Sequence, residues 1–159
     1  MLQRVYIETT FVSYLTARPN RDLIVAGHQQ LTREWWDQHR ADYQLCAPQL
    51  VVQEAGVGDQ VAAQERLDIL AAMTMLQITN AAVALAEELL RAGALPMKAG
   101  NDALHIAVAA VHDIPFMLTW NCRHLANAIM RSQIEAVCAS KGLKAPIICT
   151  PEEMMEGTT

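Results

Sequence analysis

A helix that is apolar on nearly every side can persist only inside a layered fold, and residues 98–112 read as one. Leu104, Val108 and Val111 recur at i, i+4 and i+7, and Ile106, Ala107 and Ala110 fill most of the remaining surface. Asn101, led in by Gly100, is the expected N-cap, which puts Asp102 in the first turn, facing outward. The run FMLTW at 116–120 then reads as a buried strand ending in the polar cluster Asn121, Cys122, Arg123 and His124. One helix thus opens on a carboxylate and the next strand closes on polar groups. Taken alone, Asp102 also has a purely structural reading, because an acid in the first turn complements the helix dipole by roughly 0.3–1 kcal/mol.

The remaining chain alternates in the same way. Strands are expected at 4–7, 43–46, 75–78 and 146–149. Between them lie a short helix stopped before Pro19, a helix over 21–40, one started by Pro48 and one over 61–72. Another is capped by Thr79 or Asn80 and ended by Gly93, and a long one runs from 121 to about 140. Leu23, His28, Leu31 and Trp35 fall on or near one face of the second helix, and Leu125, Ile129 and Val137 point inward from the long one. Thr150, Pro151 and Glu153 open a last helix with N-cap, N1 and N3 residues of the right type, and the final residues are expected to fray. Alternation of this kind predicts one α/β domain over 1–159, three layers α/β/α around a mainly parallel sheet of about five strands.

In such sheets ligands bind beyond the carboxyl ends of the strands, where the strand order reverses. Glu8 ends the first strand and Asn121 the fourth, so both reach one crevice if those strands are neighbours. Glu54 and Asp102, each near the start of a helix, can reach the same place. Three carboxylates and an amide oxygen suit a hard divalent cation, Mg²⁺ or Mn²⁺. The reaction class this implies is metal-assisted phosphodiester hydrolysis.

Composition narrows the alternatives. Net charge is −5, which argues against a protein that coats nucleic acid but leaves room for an enzyme that brings cations to phosphates. Cys46, Cys122, Cys138 and Cys149 form no C-x-x-C pair, so neither a zinc site nor a redox motif is indicated and reduced thiols are expected. No apolar run approaches the roughly 20 residues of a membrane span, and no signal-peptide pattern opens the chain, so a cytoplasmic protein is expected. A phosphatase or nucleotide-binding protein on a similar sheet lacks its usual mark here, a Gly-rich phosphate loop. His105 reads as a hydrogen-bonded core residue, His112 as a residue at a helix C-terminus, and Trp35 and Trp36 as core or interface anchors.

The order Y-I-E-T-T, V-V-x-E, D-A-L-H-I-A and L-T-W-N-C-R-H-L-A-N resembles a PIN-domain protein. Within that family it is most similar to the toxin-type (VapC-like) ribonucleases of bacterial toxin–antitoxin pairs, over residues 4 to about 155. The resemblance implies that Glu8, Glu54 and Asp102 hold the family's three acidic positions, with Glu8 replacing the usual Asp. Asn121 stands at a fourth that is often Asp, and Thr10 at its Ser/Thr position. Asn101 occupies a place where some relatives carry a further acid. Thr10 and Arg123 are the expected substrate contacts. The implied activity is metal-dependent endoribonuclease action on RNA with Mg²⁺ or Mn²⁺; the implied partners are a second copy in a homodimer and an antitoxin protein. Phe11, Tyr14, Trp35 and Trp36 are expected to leave some aromatic surface open for those partners. A non-catalytic PIN-like module binding RNA or protein is the alternative that the Glu-for-Asp and Asn-for-Asp exchanges keep open. Crowded like charges are expected to destabilise the empty acidic site, so that Asp102→Asn would leave the metal-free fold as stable or more so.

Overall fold

The computed structural model describes residues 1–155; the expected fraying of the final residues falls mostly on 156–159, outside the described residues. In chain order the elements are β1 (Gln3–Ile7), α1 (Thr9–Thr16), α2 (Leu23–His39), β2 (Tyr43–Pro48), α3 (Gln49–Ala55), α4 (Gln60–Ala71), β3 (Thr74–Leu76), α5 (Asn80–Arg91), α6 (Gly100–Val111), β4 (Phe116–Leu118), α7 (Ala128–Ser140) and β5 (Ile147–Cys149). The five strands form one parallel sheet in the order β3-β2-β1-β4-β5.

That order explains the layers. From β1 the chain steps outward twice, to β2 and β3, then crosses back to β4 and steps outward again to β5. Parallel crossovers are right-handed, so connections that travel in opposite directions lie on opposite faces. Helices α1 to α4 therefore share one face and α5 to α7 the other, and the packing of α1 with α2, α3 and α4, and of α5 with α6 and α7, follows that division. Val5, Tyr6 and Ile7 of the central strand are fully buried, as a parallel strand covered on both faces requires. Among the described residues no helix is long and apolar enough to cross a membrane.

Several local expectations are corrected. Asn101 does not cap α6; the helix begins at Gly100 after Ala99, so Asn101 and Asp102 both lie in its first turn. The fourth strand stops at Leu118; the Thr119 amide still bonds the Cys149 carbonyl, while its side chain and the Trp120 amide turn to the site. The long helix from 121 divides into a compact turn and α7, whose N-cap Asn127 accepts from the amides of Ile129 and Met130. This cap sets a new helical phase. The buried face of α7 is Ile134, Val137 and Cys138, and Ile129, five residues before Ile134 and so about 140° around the helix, is 90% exposed. Leu125 stays inward, but from the turn. Replacing Asn127 by Ala is expected to cost about 1 kcal/mol in urea unfolding, with an unchanged m-value.

On α2, Asp22 caps the helix, so Leu23 and Ile24 fall in a first turn that precedes the core and are exposed, while Gln29, Thr32 and Trp35 are buried. Phe11 and Trp35 are also fully buried, and Trp36 packs half-buried against the core. The aromatic residues of α1 and α2 are thus largely core, and the open apolar side chains of this region are Leu23 and Ile24. The segment opened by Thr150 is a short 3₁₀ turn, Pro151–Met154, with the expected capping box of Thr150 and Glu153.

Candidate active site

β1 and β4 are neighbours, and the reversal in strand order lies between them. Just past Ile7, the backbone of Glu8 still bonds across to Leu118, 3.1 Å from amide to carbonyl. Glu8 is also the N-cap of α1: its Oε2 accepts from the Thr10 amide at 2.9 Å and from the Thr10 hydroxyl. The Thr119 hydroxyl, arriving from β4, donates to the same oxygen at 2.9 Å. Each hydroxyl in turn accepts an amide of the chain leaving β4, Thr10 Oγ1 from Trp120 at 2.8 Å and Thr119 Oγ1 from Asn121 at 2.9 Å. The two strand ends are thereby stitched together around one buried carboxylate.

Asn121 carries the network to α6. Its Nδ2 donates to Asp102 Oδ1 at 3.2 Å, and its Oδ1 accepts from the His124 amide at 3.1 Å. The His124 ring meets the other oxygen of Asp102, with Nδ1 2.9 Å from Oδ2. Since a carboxylate only accepts, His124 donates from Nδ1. Glu54, in the last turns of α3, is reached from α1 and α6: its Oε1 accepts from Thr9 Oγ1 at 2.6 Å and from His105 Nε2 at 2.8 Å. Thr9 and Thr10, adjacent in the chain, thus bind Glu54 and Glu8 respectively.

Asp102 and Asn121 are bonded directly, Glu8 is linked to Asn121 through the Thr119 hydroxyl, and Glu54 joins them through Thr9 and the α1 backbone. Thr10 is in the same web, its hydroxyl spent on Glu8 and Trp120. Arg123 is exposed two positions past Asn121, and its guanidinium makes no hydrogen bond or ion pair among the described residues; only its carbonyl is engaged, by Asn127. Thr9, Thr119 and Tyr6 are the site residues that sequence reasoning missed. Of these only the Glu-Thr-Thr run carried a local signal, that of a capped helix start.

Electrostatics separate the acids. Burial pushes the Glu8 carboxyl above the usual carboxylate range, against the pull of the Thr10 and Thr119 donors. For Glu54 burial works in the same direction, but donation from His105, with help from Thr9 and the nearby Asn101, outweighs it and holds the carboxyl below the usual range. Cys122 is exposed, and partial desolvation with the charge of Glu153 pushes its thiol up, away from the thiolate a nucleophile needs.

The donor set fits a hard cation in kind. The Thr10 and Thr119 donors to Glu8 all fall on Oε2 and the Thr9 and His105 donors to Glu54 on Oε1, so these bonds leave the second oxygen of each to other ligands. It is an open set: among the described residues no three His, Cys, Asp or Glu side chains stand close enough together to hold a metal ion by themselves. Mg²⁺ commonly binds in this way, through one or two carboxylates, waters and substrate phosphate. A groove of about 570 Å³ lined by Leu2, Trp36, Tyr43 and Met73 lies at the starts of β1 to β3, the opposite end of the sheet, and holds no comparable cluster.

The PIN domain family model matches residues 5–128, and the chain belongs to that family. Solved structures of similar fold include VapBC2 from Rickettsia felis bound to a DNA fragment from their promoter, at 14% identity and TM-score 0.60, covering 93% of this chain and 98% of that one. Mycobacterium tuberculosis VapC20, described as a sarcin-ricin loop cleaving toxin, is similar at 14% identity and TM-score 0.60 over 76% of this chain and 92% of that one. A toxin–antitoxin complex from Klebsiella pneumoniae is similar at 14% identity and TM-score 0.59 over 92% and 97%. At this identity the likeness is one of fold. No curated protein matches the sequence.

Proposed function

We propose that this chain is a metal-dependent endoribonuclease of the PIN type, the toxin of a toxin–antitoxin pair, acting in the cytoplasm on RNA. The observation that carries the reading is the chain of bonds from Glu8 through the Thr119 hydroxyl to Asn121, and from the Asn121 side chain to Asp102, at the strand reversal, the place where a parallel α/β sheet binds its ligand. Family membership and the similar fold of toxin–antitoxin structures support it.

Glu8, Glu54, Asp102 and the Asn121 amide oxygen are the residues that would hold Mg²⁺ or Mn²⁺. The cation supplies a lowered pKa for bound water and a clamp on a phosphoryl oxygen. The protein's own part is positional. Thr9 and His105 hold Glu54, Thr10 and Thr119 hold Glu8, and Asn121 and His124 hold Asp102 until a ligand claims an oxygen. Arg123, exposed and uncommitted, is placed to meet substrate phosphate. A protein of net charge −5 repels RNA at long range, so a cation bridging carboxylates to phosphate is also what lets substrate approach. A homodimer and an antitoxin belong to the same reading, with Leu23 and Ile24 as exposed apolar contacts.

Purified protein incubated with single-stranded RNA is expected to cleave it with Mg²⁺ or Mn²⁺ and to stop with EDTA. Binding of RNA without cleavage under every divalent cation would replace this reading by a non-catalytic binding module. That second reading draws on one observation: both oxygens of Asp102 are already engaged by protein donors.

A further inference from the structure

Two buried polar side chains stand behind Glu54. Tyr6, in the central strand, and His105, in α6, are both fully buried. The Tyr6 hydroxyl lies 2.6 Å from His105 Nδ1, and His105 Nε2 lies 2.8 Å from Glu54 Oε1. The two rings meet edge-on, 5.8 Å apart at 86°, so the contact runs through the ring edges. Among the described residues neither side chain has another hydrogen-bond partner. Glu54 accepts, so Nε2 carries the proton toward it, and the arrangement that uses the Tyr6 hydroxyl proton as well has that hydroxyl donating to Nδ1.

Apolar residues of the same size would fill these two positions without the desolvation cost of a phenol and an imidazole. What the pair delivers is one donor aimed at one oxygen of a half-buried carboxylate. We propose that Tyr6 and His105 are positioning residues for Glu54: the Tyr6 hydroxyl, donating to Nδ1, holds the His105 ring with its Nε2–H toward Glu54, and His105 pins Glu54 Oε1 so that Oε2 faces ligand. This rests on the nuclease reading for its consequence, but not for its geometry. Partners of this kind behind a ligating carboxylate are commonly worth 10- to 100-fold in metal affinity or activity.

The variant that tests it is Tyr6→Phe, which keeps the buried ring and touches neither Glu54 nor His105 Nε2. Nitrogen NMR of the imidazoles, with the His105 signals assigned by their loss in His105→Gln, should show protonation at Nε2 alone in the wild-type chain and a mixed or switched tautomer in Tyr6→Phe. Cleavage kcat and Mn²⁺ affinity should each fall about 10-fold, with KM for RNA within 2-fold. His105→Gln, whose amide can still donate toward Glu54, should retain more activity than His105→Leu. A proton on Nδ1 in the wild-type chain overturns the proposal, as does a Tyr6→Phe protein with unchanged tautomer, kcat and Mn²⁺ affinity. If the wild-type chain cleaves no RNA, the nuclease reading fails by itself. The relay is then judged on the tautomer and on Mn²⁺ binding, and an unchanged tautomer in Tyr6→Phe still overturns it.

Discussion

Asp102→Asn is expected to lower RNA cleavage by about 100-fold or more while costing the fold about 1–2 kcal/mol. The kinetic half follows from the proposed function, in which Asp102 is a charged ligand next to the phosphate: about 3 kcal/mol of lost transition-state stabilisation is two powers of ten in rate. The stability half reverses the expectation drawn from like-charge crowding. Asp102 is not left facing other acids; the Asn121 amide and the His124 ring each donate to one of its oxygens. An Asn there keeps one acceptor and turns an N–H toward a donor, so it loses a bond to a charged group, worth roughly 1.5–3 kcal/mol before the side chains readjust. Single-turnover cleavage and urea unfolding on the same preparation check both halves. Cleavage that survives in Asp102→Asn would end the hydrolase mechanism.

The second large effect is expected at Glu8, with the opposite sign in stability. Glu8→Gln should also lose cleavage, but should melt higher than the wild-type chain at neutral and mildly basic pH. The cause is burial: Glu8 is 4% exposed, and its folded pKa is raised. A carboxyl whose folded pKa exceeds its unfolded value, about 4.3, costs nothing below the unfolded value. It costs increasingly as pH rises and its full amount above the folded value. Gln carries no charge and its oxygen can take the place of Oε2 before Thr10 and Thr119. Melting curves of the two proteins should therefore coincide at the acid end and separate as pH rises, by about 2–4 °C for each kcal/mol. Glu54 contributes the other way, because its pKa is lowered: its stabilisation is present above about 4.3 and lost as pH falls through the folded value. Melts of Glu8→Gln that track the wild-type chain at every pH would show that the Thr10 and Thr119 donors offset the whole burial cost.

How much of this was legible in the sequence depends on distance along the chain. The alternation of strands and helices, Glu8 at the end of β1 and Asp102 in the first turn of α6 were all legible, because periodicity and strand termini are set by residues a few positions apart. Boundaries failed where one local signal competed with another. Asn127, rather than Asn121, started α7, because its side chain meets two amides of the next turn, and Ile129 was thereby rotated out of the core. Asn101 looked like a cap but was overruled by a helix that begins one residue earlier.

By itself, then, the sequence determined the class of fold, the acidic inventory and the strand ends at which it would appear. The tertiary structure alone decided that β1 and β4 lie side by side, and so that Thr119 reaches Glu8 across 111 residues of chain and Tyr6 reaches His105 across 99. Donors and acceptors so far apart share no periodicity and no turn. They meet only because right-handed crossovers return the chain to the other side of the central strand, where each buried carboxylate needs hydrogen-bond donors that its own neighbours in sequence do not fully supply.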